Sequence, residues 1–290
     1  MSTPSRFFIT GAAGQLGQLV VAELARLAGP EQVTAIVRDP VRAANLFPAG
    51  VTLRTGDYDQ PETLATALHG AERLLLISSN AIGNRVEQHR HVIEAATQAK
   101  VSRLAYTSVL HADTSPMRLA EDHRQTEALI AASGVPYTLL RNGWYHENYT
   151  ASIPAALHHG ALIGSAGQGR ISSAARADYA AAAAIALMDD GAGDRVVHEL
   201  AGDTAYTLPE FAAELSRQTG RQVPYVNLPE ADYCSALVGA GLPPQLAAFI
   251  ADSDVAAAQD ALFDTGQALS RLLGRPTKPF AQTMAQALSL

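Results

Sequence analysis

Cysteine is almost missing. Cys234 is the only one in 290 residues, so an internal disulfide and a cysteine-built metal centre are both excluded. Positive charge is also scarce. Lys and Arg number 21 against 28 Asp and Glu, a formal net charge of −7, and no basic cluster stands out to attract a nucleic acid. The longest apolar run, residues 180–188, falls far short of the roughly 20 residues that a bilayer span requires. Repeats, low-complexity tracts and long charged runs are absent as well. A strand-like pattern begins within about six positions of Met1, which leaves no room for a charged and apolar leader. The expectation is a soluble cytoplasmic protein with neither nucleic acid nor membrane as partner. Its oligomeric state is not readable from composition.

What the chain does have is apolar residues, 48% of the total, enough for a large core and for one nucleotide-sized domain with a smaller appendage. Residues 11–17, Gly-Ala-Ala-Gly-Gln-Leu-Gly, carry the most information. They follow the apolar run 6–10 at once and lead into residues with helical spacing. Strand, glycine turn and helix in that order make a dinucleotide site. Glycine allows the tight turn, lets backbone approach a pyrophosphate and gives room for helix to pack on strand. The helix start then offers unpaired N–H groups and a positive dipole end to the anion.

Runs at 6–10, 33–37, 51–54, 73–77, 103–107 and 136–140 read as strands. They alternate with helices around 16–27, 40–47, 61–68, 84–99 and 119–132. That alternation predicts an α/β fold, a doubly wound parallel sheet with helices on both faces. Residues 142–177 lose periodicity and read as a substrate loop. A helix at 178–188 and a strand at 196–200 resume the earlier style, and mostly helical segments follow from Leu208. The expected division is a nucleotide-binding domain over 1–205, including the loop, and a smaller substrate-covering lobe over 206–290.

Cofactor choice turns on the end of the second strand, where an acid would accept from a ribose 2′-OH. Arg38 stands there, suited to a 2′-phosphate; its plainer reading is a solvated surface arginine. The neighbouring Asp39 has another task as N-cap of a helix with Pro40 at its first position. NADPH is therefore the expected cofactor. By topology, Asp57 and Tyr58 fall near the adenine, and Ser78 and Ser79 beside the nicotinamide half.

Typical short-chain dehydrogenases carry Tyr-x-x-x-Lys after the fifth strand. The stretch 119–127 here, Leu-Ala-Glu-Asp-His-Arg-Gln-Thr-Glu, has no such pair, which disfavours alcohol dehydrogenation and sugar epimerisation. Ser108, Asp122 and His123 invite a hydrolase reading, but no Gly-x-Ser-x-Gly elbow exists. His89 and His91 fall on different helix faces, and His158 and His159 are sequence neighbours, so no metal is expected and all four read as surface residues.

The ordered set Ile9-Thr-Gly-Ala-Ala-Gly-Gln-Leu-Gly17, Ala35-Ile-Val-Arg38, Leu75-Leu-Ile-Ser-Ser79, Ala105-Tyr-Thr-Ser108, His111-Ala-Asp-Thr-Ser-Pro116, Tyr137-Thr-Leu-Leu-Arg-Asn-Gly-Trp-Tyr145 and Arg176-Ala-Asp-Tyr-Ala180 resembles the NmrA-like atypical short-chain dehydrogenases/reductases. Within them the chain is most similar to the bacterial flavin-free NAD(P)H:quinone reductases and next to the triphenylmethane dye reductases. The resemblance implies a Rossmann fold and direct, flavin- and metal-independent hydride transfer from NADPH to a small-molecule quinone. It implies cofactor contacts from Gly11, Ala12, Ala13, Gly14, Gln15, Leu16, Gly17, Arg38, Ser78, Ser79, Asn142 and Gly143. Many such proteins carry Lys where His123 stands, so a lysine-dependent mechanism does not transfer.

Quinones are strong hydride acceptors, so positioning carries most of the reaction. Trp144 and Tyr145, after the sixth strand, suit a flat ring, although Trp144 reads equally as a packing anchor. Tyr145 or His123 is a candidate proton donor beside water, and His123 reads otherwise as a solvated helix residue. Two further readings stay open: a dinucleotide-binding sensor without turnover, and a reductase of planar cationic dyes.

Overall fold

The computed structural model describes residues 6–191 and 193–289. Residues 1–5, on which the expectation of no leader partly rests, lie outside them. In chain order the elements are β1 (Phe7–Ile9), α1 (Gln15–Ala28), β2 (Val33–Val37), α2 (Pro40–Ala43), β3 (Thr52–Thr55), α3 (Pro61–Ala67), β4 (Arg73–Leu76), α4 (Arg85–Gln98), β5 (Arg103–Val109), α5 (Arg118–Ala132) and β6 (Tyr137–Asn142). There follow α6 (His146–Thr150), α7 (Ile153–His159), β7 (Leu162–Gly164), α8 (Arg176–Met188), β8 (Arg195–Leu200), α9 (Leu208–Thr219), β9 (Tyr225–Asn227), α10 (Glu230–Gly239), α11 (Pro244–Ala257), α12 (Ala268–Leu273) and α13 (Phe280–Leu288).

Seven strands form one sheet in the order β3-β2-β1-β4-β5-β6-β8. The pairs from β3 to β6 are all parallel. The central strands are buried along their whole length, as strands covered on both faces must be, whereas β3 at the edge is partly exposed. From β1 the chain steps outward to β3, then returns to place β4 on the other side of β1. That reversal opens a crevice at the carboxyl ends of β1 and β4, where ligands bind in open α/β sheets. One face of the sheet buries Phe8, Ile36, Leu74, Leu76, Leu104 and Tyr106 against α3, α4 and α5. Each large apolar side chain so covered contributes about 1.5–3 kcal/mol.

Most sequence-predicted elements fall within a residue or two of their expected bounds; α2 is the exception. It stops at Ala43 rather than 47, and Pro48 disfavours helical backbone at Phe47 in any case. Its start is as expected, with the Asp39 carboxylate accepting from the Val41 and Arg42 N–H groups at 3.0 and 3.1 Å.

The chain forms two compact units, and neither is a single run of sequence. The first holds residues up to 109, 122–142 and 177–198; the second holds 110–121, 143–176 and the residues from 199 onward. The expected division at 205/206 is thus not where the units part. Specific bonds explain the second unit's membership. His146 Nδ1 lies 3.0 Å from the Thr283 hydroxyl, the Ser172 N–H donates to the Leu262 carbonyl at 2.8 Å, and β7 pairs in parallel with β9. Tyr149, Tyr206, Phe211 and Phe280 pack ring on ring at its centre.

Candidate cofactor site

In the first unit, β1 ends at Ile9 and the chain turns through Thr10 and Gly11, whose φ of +62° is a conformation that side chains disfavour. The Thr10 N–H and hydroxyl both donate to the Leu75 carbonyl, at 3.0 and 3.1 Å, which ties the turn to β4. Gly17 packs so close beneath that an added Cβ would stand 2.6 Å from the Ala12 carbonyl oxygen. No side chain caps the start of α1 at Gly14, so its first N–H groups remain available to an anion. Gly11, Ala13, Gly14 and Gln15 are exposed, while Ala12 and Leu16 point into the core. These last two offer only backbone to a ligand.

Arg38, just past β2, is exposed and has no hydrogen-bond or ion-pair partner among the described residues. Asp57 spends its carboxylate locally, accepting from the Asp59 N–H at 3.1 Å. Tyr58 is turned inward: its hydroxyl lies 2.6 Å from Thr10 Oγ1 and 3.0 Å from the Ile77 carbonyl, and burial pushes the phenol up. It braces the glycine turn from below.

The Ser78 N–H donates to the Thr107 hydroxyl at 2.8 Å. The Ser79 peptide is held by α4: its N–H donates to His89 Nε2 at 3.0 Å, and its carbonyl accepts from Arg85 Nε at 2.7 Å. His89 is fully buried, not a surface residue, and packs edge-on against Tyr106 with ring centroids 5.4 Å apart. Burial, with the nearby Arg85 charge, pushes its imidazole down to about 3. His158 and His159 are exposed as expected.

His123 is not solvated either. It is 4% exposed, and its Nδ1 lies 2.7 Å from the Tyr106 hydroxyl. Burial, then the charge of Arg85, holds its pKa well below the usual histidine range. Held neutral, the ring keeps a single, weakly acidic N–H rather than the readily given proton of an imidazolium. Ser108, Asp122 and His123 make no triad: the Ser108 hydroxyl donates to Glu127 at 2.5 Å, and Asp122 accepts from Arg85 at 2.8 Å. Glu127 is gripped by both ends of the Arg141 guanidinium at 3.0 and 2.8 Å.

Asn142 closes β6. It is buried, yet among the described residues neither its amide nitrogen nor its amide oxygen has a partner. A buried amide left with both functions unmet costs free energy until a ligand or water satisfies it. In the second unit the Gly143 N–H donates to the Leu200 carbonyl at 2.7 Å. Trp144 stacks on Phe249 at 6.4 Å and 27°, and the Arg176 guanidinium lies over the Tyr145 ring at 4.9 Å. Phe249 carried no signal in sequence. His89 did, because it shares the spacing 85, 88, 89, 92, 93, 96 with the buried stripe of α4.

A parallel sheet with its switch point at β1 and β4, a glycine turn and an uncapped helix define a doubly wound protein of the dinucleotide-binding class. The sequence profile of the NAD(P)H-binding family matches residues 11–190, and the chain belongs to that family. It is 52% identical over 282 residues to Quinone oxidoreductase 2 of Escherichia coli (strain K12), covering 97% of this chain and 98% of the relative. A crystal structure of an NADPH-dependent quinone oxidoreductase from Escherichia coli, complexed with NADPH, matches with a TM-score of 0.94 at 52% identity, over 97% of this chain and 99% of that one. Citrobacter sp. triphenylmethane reductase complexed with NADP(H) matches with a TM-score of 0.92 at 34% identity, over 97% and 99%.

Proposed function

We propose that the chain is an NADPH-dependent quinone reductase, and that it needs neither flavin nor metal. The full-length likeness to quinone reductases supports the activity. The observation that carries the cofactor is the partnerless Arg38 beyond β2, on the same sheet edge as the uncapped start of α1. The residues fit the group. The backbone N–H groups at the start of α1 hold the pyrophosphate, with Gly11 and Gly14 allowing its close approach. Arg38 pairs with the 2′-phosphate. Asn142, with both amide functions unmet, is suited to a carboxamide or carbonyl.

When bound, NADPH supplies a hydride from C4 of its ring. Reduction of a quinone to its hydroquinone consumes that hydride and one proton. The chain's part is to hold a flat acceptor close to the donor carbon; within the second unit Trp144 and Tyr145 carry aromatic faces suited to a flat ring. The proton comes from Tyr145 or bulk water rather than from His123, which is buried and bonded to the Tyr106 hydroxyl. The reading is tested by mixing purified protein and NADPH with and without a simple benzoquinone, in chelator. Oxidation that depends on both protein and quinone supports it. Tight NADPH binding without turnover favours a sensor, and turnover with a triphenylmethane dye alone favours a dye reductase.

A further inference from the structure

We propose that Arg85 and His89 are positioning residues, α4 side chains that hold the Ser79 peptide and thereby set the corner after β4 against the nicotinamide half of the cofactor. The inference rests on the NADPH reading. With Arg38 on the 2′-phosphate, the adenosine lies over β2 and β3, and the pyrophosphate lies at α1. The remaining half must run to the other side of the switch point, over β4 and β5. Ser78 and Ser79 are the residues that leave β4 there.

Ser79 lies past the last residue of β4, and its peptide N–H and carbonyl are bonded to side chains rather than to the sheet. The proton positions follow from the bonds. The Ser79 N–H needs an acceptor, so His89 Nε2 carries no proton and Nδ1 does. That proton points to Thr126 Oγ1 at 3.0 Å, and the Thr126 hydroxyl donates onward to the Asp122 carbonyl at 2.8 Å. One tautomer satisfies every member. Arg85 acts on the other side of the same peptide: Nε serves the Ser79 carbonyl, and Nη1 reaches the Asp122 carboxylate at 2.8 Å. Both grips therefore anchor the corner to α4 and, through Asp122 and Thr126, to α5. The stretch of α5 that corresponds to the Tyr-x-x-x-Lys segment of typical short-chain dehydrogenases here supplies part of that brace.

A brace of the cofactor corner and a merely structural polar network differ in which ligand they affect. Affinities for NADPH and for adenosine 2′,5′-bisphosphate, which has the 2′-phosphate but no nicotinamide, are to be measured for the wild-type protein, His89→Leu, His89→Gln and Arg85→Lys. His89→Leu removes the acceptor for Ser79. NADPH affinity is expected to fall tenfold or more, while the bisphosphate stays within twofold. His89→Gln can accept with Oε1 and donate with Nε2, and is expected to recover most of the loss. Arg85→Lys keeps a charge facing Asp122 but loses the bond to the Ser79 carbonyl. It is expected to show the same split, and it carries the comparison if His89→Leu does not fold. Variants that lose both ligands alike, or neither, overturn the positioning role. Wild-type protein that binds neither ligand overturns the cofactor reading, and this inference with it.

Discussion

Arg38 and Asp254 show how one side chain's surroundings decide what it does. Arg38 is exposed and unpaired, so its removal disturbs no bond within the described chain. Arg38→Ala should weaken NADPH by tenfold or more, the equivalent of the 1.5–3 kcal/mol of a charge-assisted bond, and leave NADH unchanged; titration with both dinucleotides checks it. Asp254 is the opposite case. It is buried, and burial raises its carboxyl to about 6 against the opposing Ser165 N–H bond at 2.9 Å. The folded state therefore holds this proton more tightly than the unfolded chain. The associated stability is complete below about pH 4 and is lost as pH rises through about 6. Asp254→Asn keeps an acceptor for Ser165 and should stabilise the protein by about 2–3 kcal/mol at neutral pH, with little effect near pH 4. Denaturant titrations at the two pH values test this.

At the scale of elements, β1, the glycine turn and α1 were legible in sequence because each part has a local signature. So were the apolar runs of β2 and β4. The helix α9 opens on a capping box, with the Thr207 hydroxyl and Glu210 serving each other's backbone N–H groups. Thr207→Ala should cost about 1 kcal/mol, read as a shift in unfolding midpoint. The strand β9 was not legible, since its three residues pair with β7 more than 60 positions earlier. His89 and His123 were misread for a different reason. Their charge class suggests a surface, yet both sit in the buried stripes of amphipathic helices, and only the tertiary partners Ser79, Thr126 and Tyr106 make that burial affordable. If His123 is a buried polar anchor rather than an acid, His123→Ala should lower thermal stability while turnover falls by well under the roughly hundredfold expected of a lost acid–base group.

For the whole molecule, the buried histidines contribute to the acid limb of stability. His89 has its pKa pushed down to about 3 and His123 is also depressed, so between about pH 6.5 and 3 the unfolded chain takes up protons that the folded chain refuses. Their contribution is complete above about pH 6.5 and is lost as pH falls from there, a window in which Asp254 works the other way. A stability profile of His89→Gln, flatter below pH 6.5 than wild type, would show this; a parallel profile would remove His89 from the explanation. The division into two interleaved units was beyond the sequence because the segments after β5 and β6 join the C-terminal segment through scattered bonds such as His111 to Asp264 and His146 to Thr283.

The measurement closest to the central claim is a single turnover with NADPH deuterated at one or the other face of C4, with a benzoquinone as acceptor. Direct transfer predicts that one stereoisomer alone loses its deuterium, that this isomer reacts more slowly where chemistry limits the rate, and that no one-electron radical signal accompanies the reaction. NADPH oxidation no faster than in the absence of protein, across quinones and planar dyes alike, would contradict it.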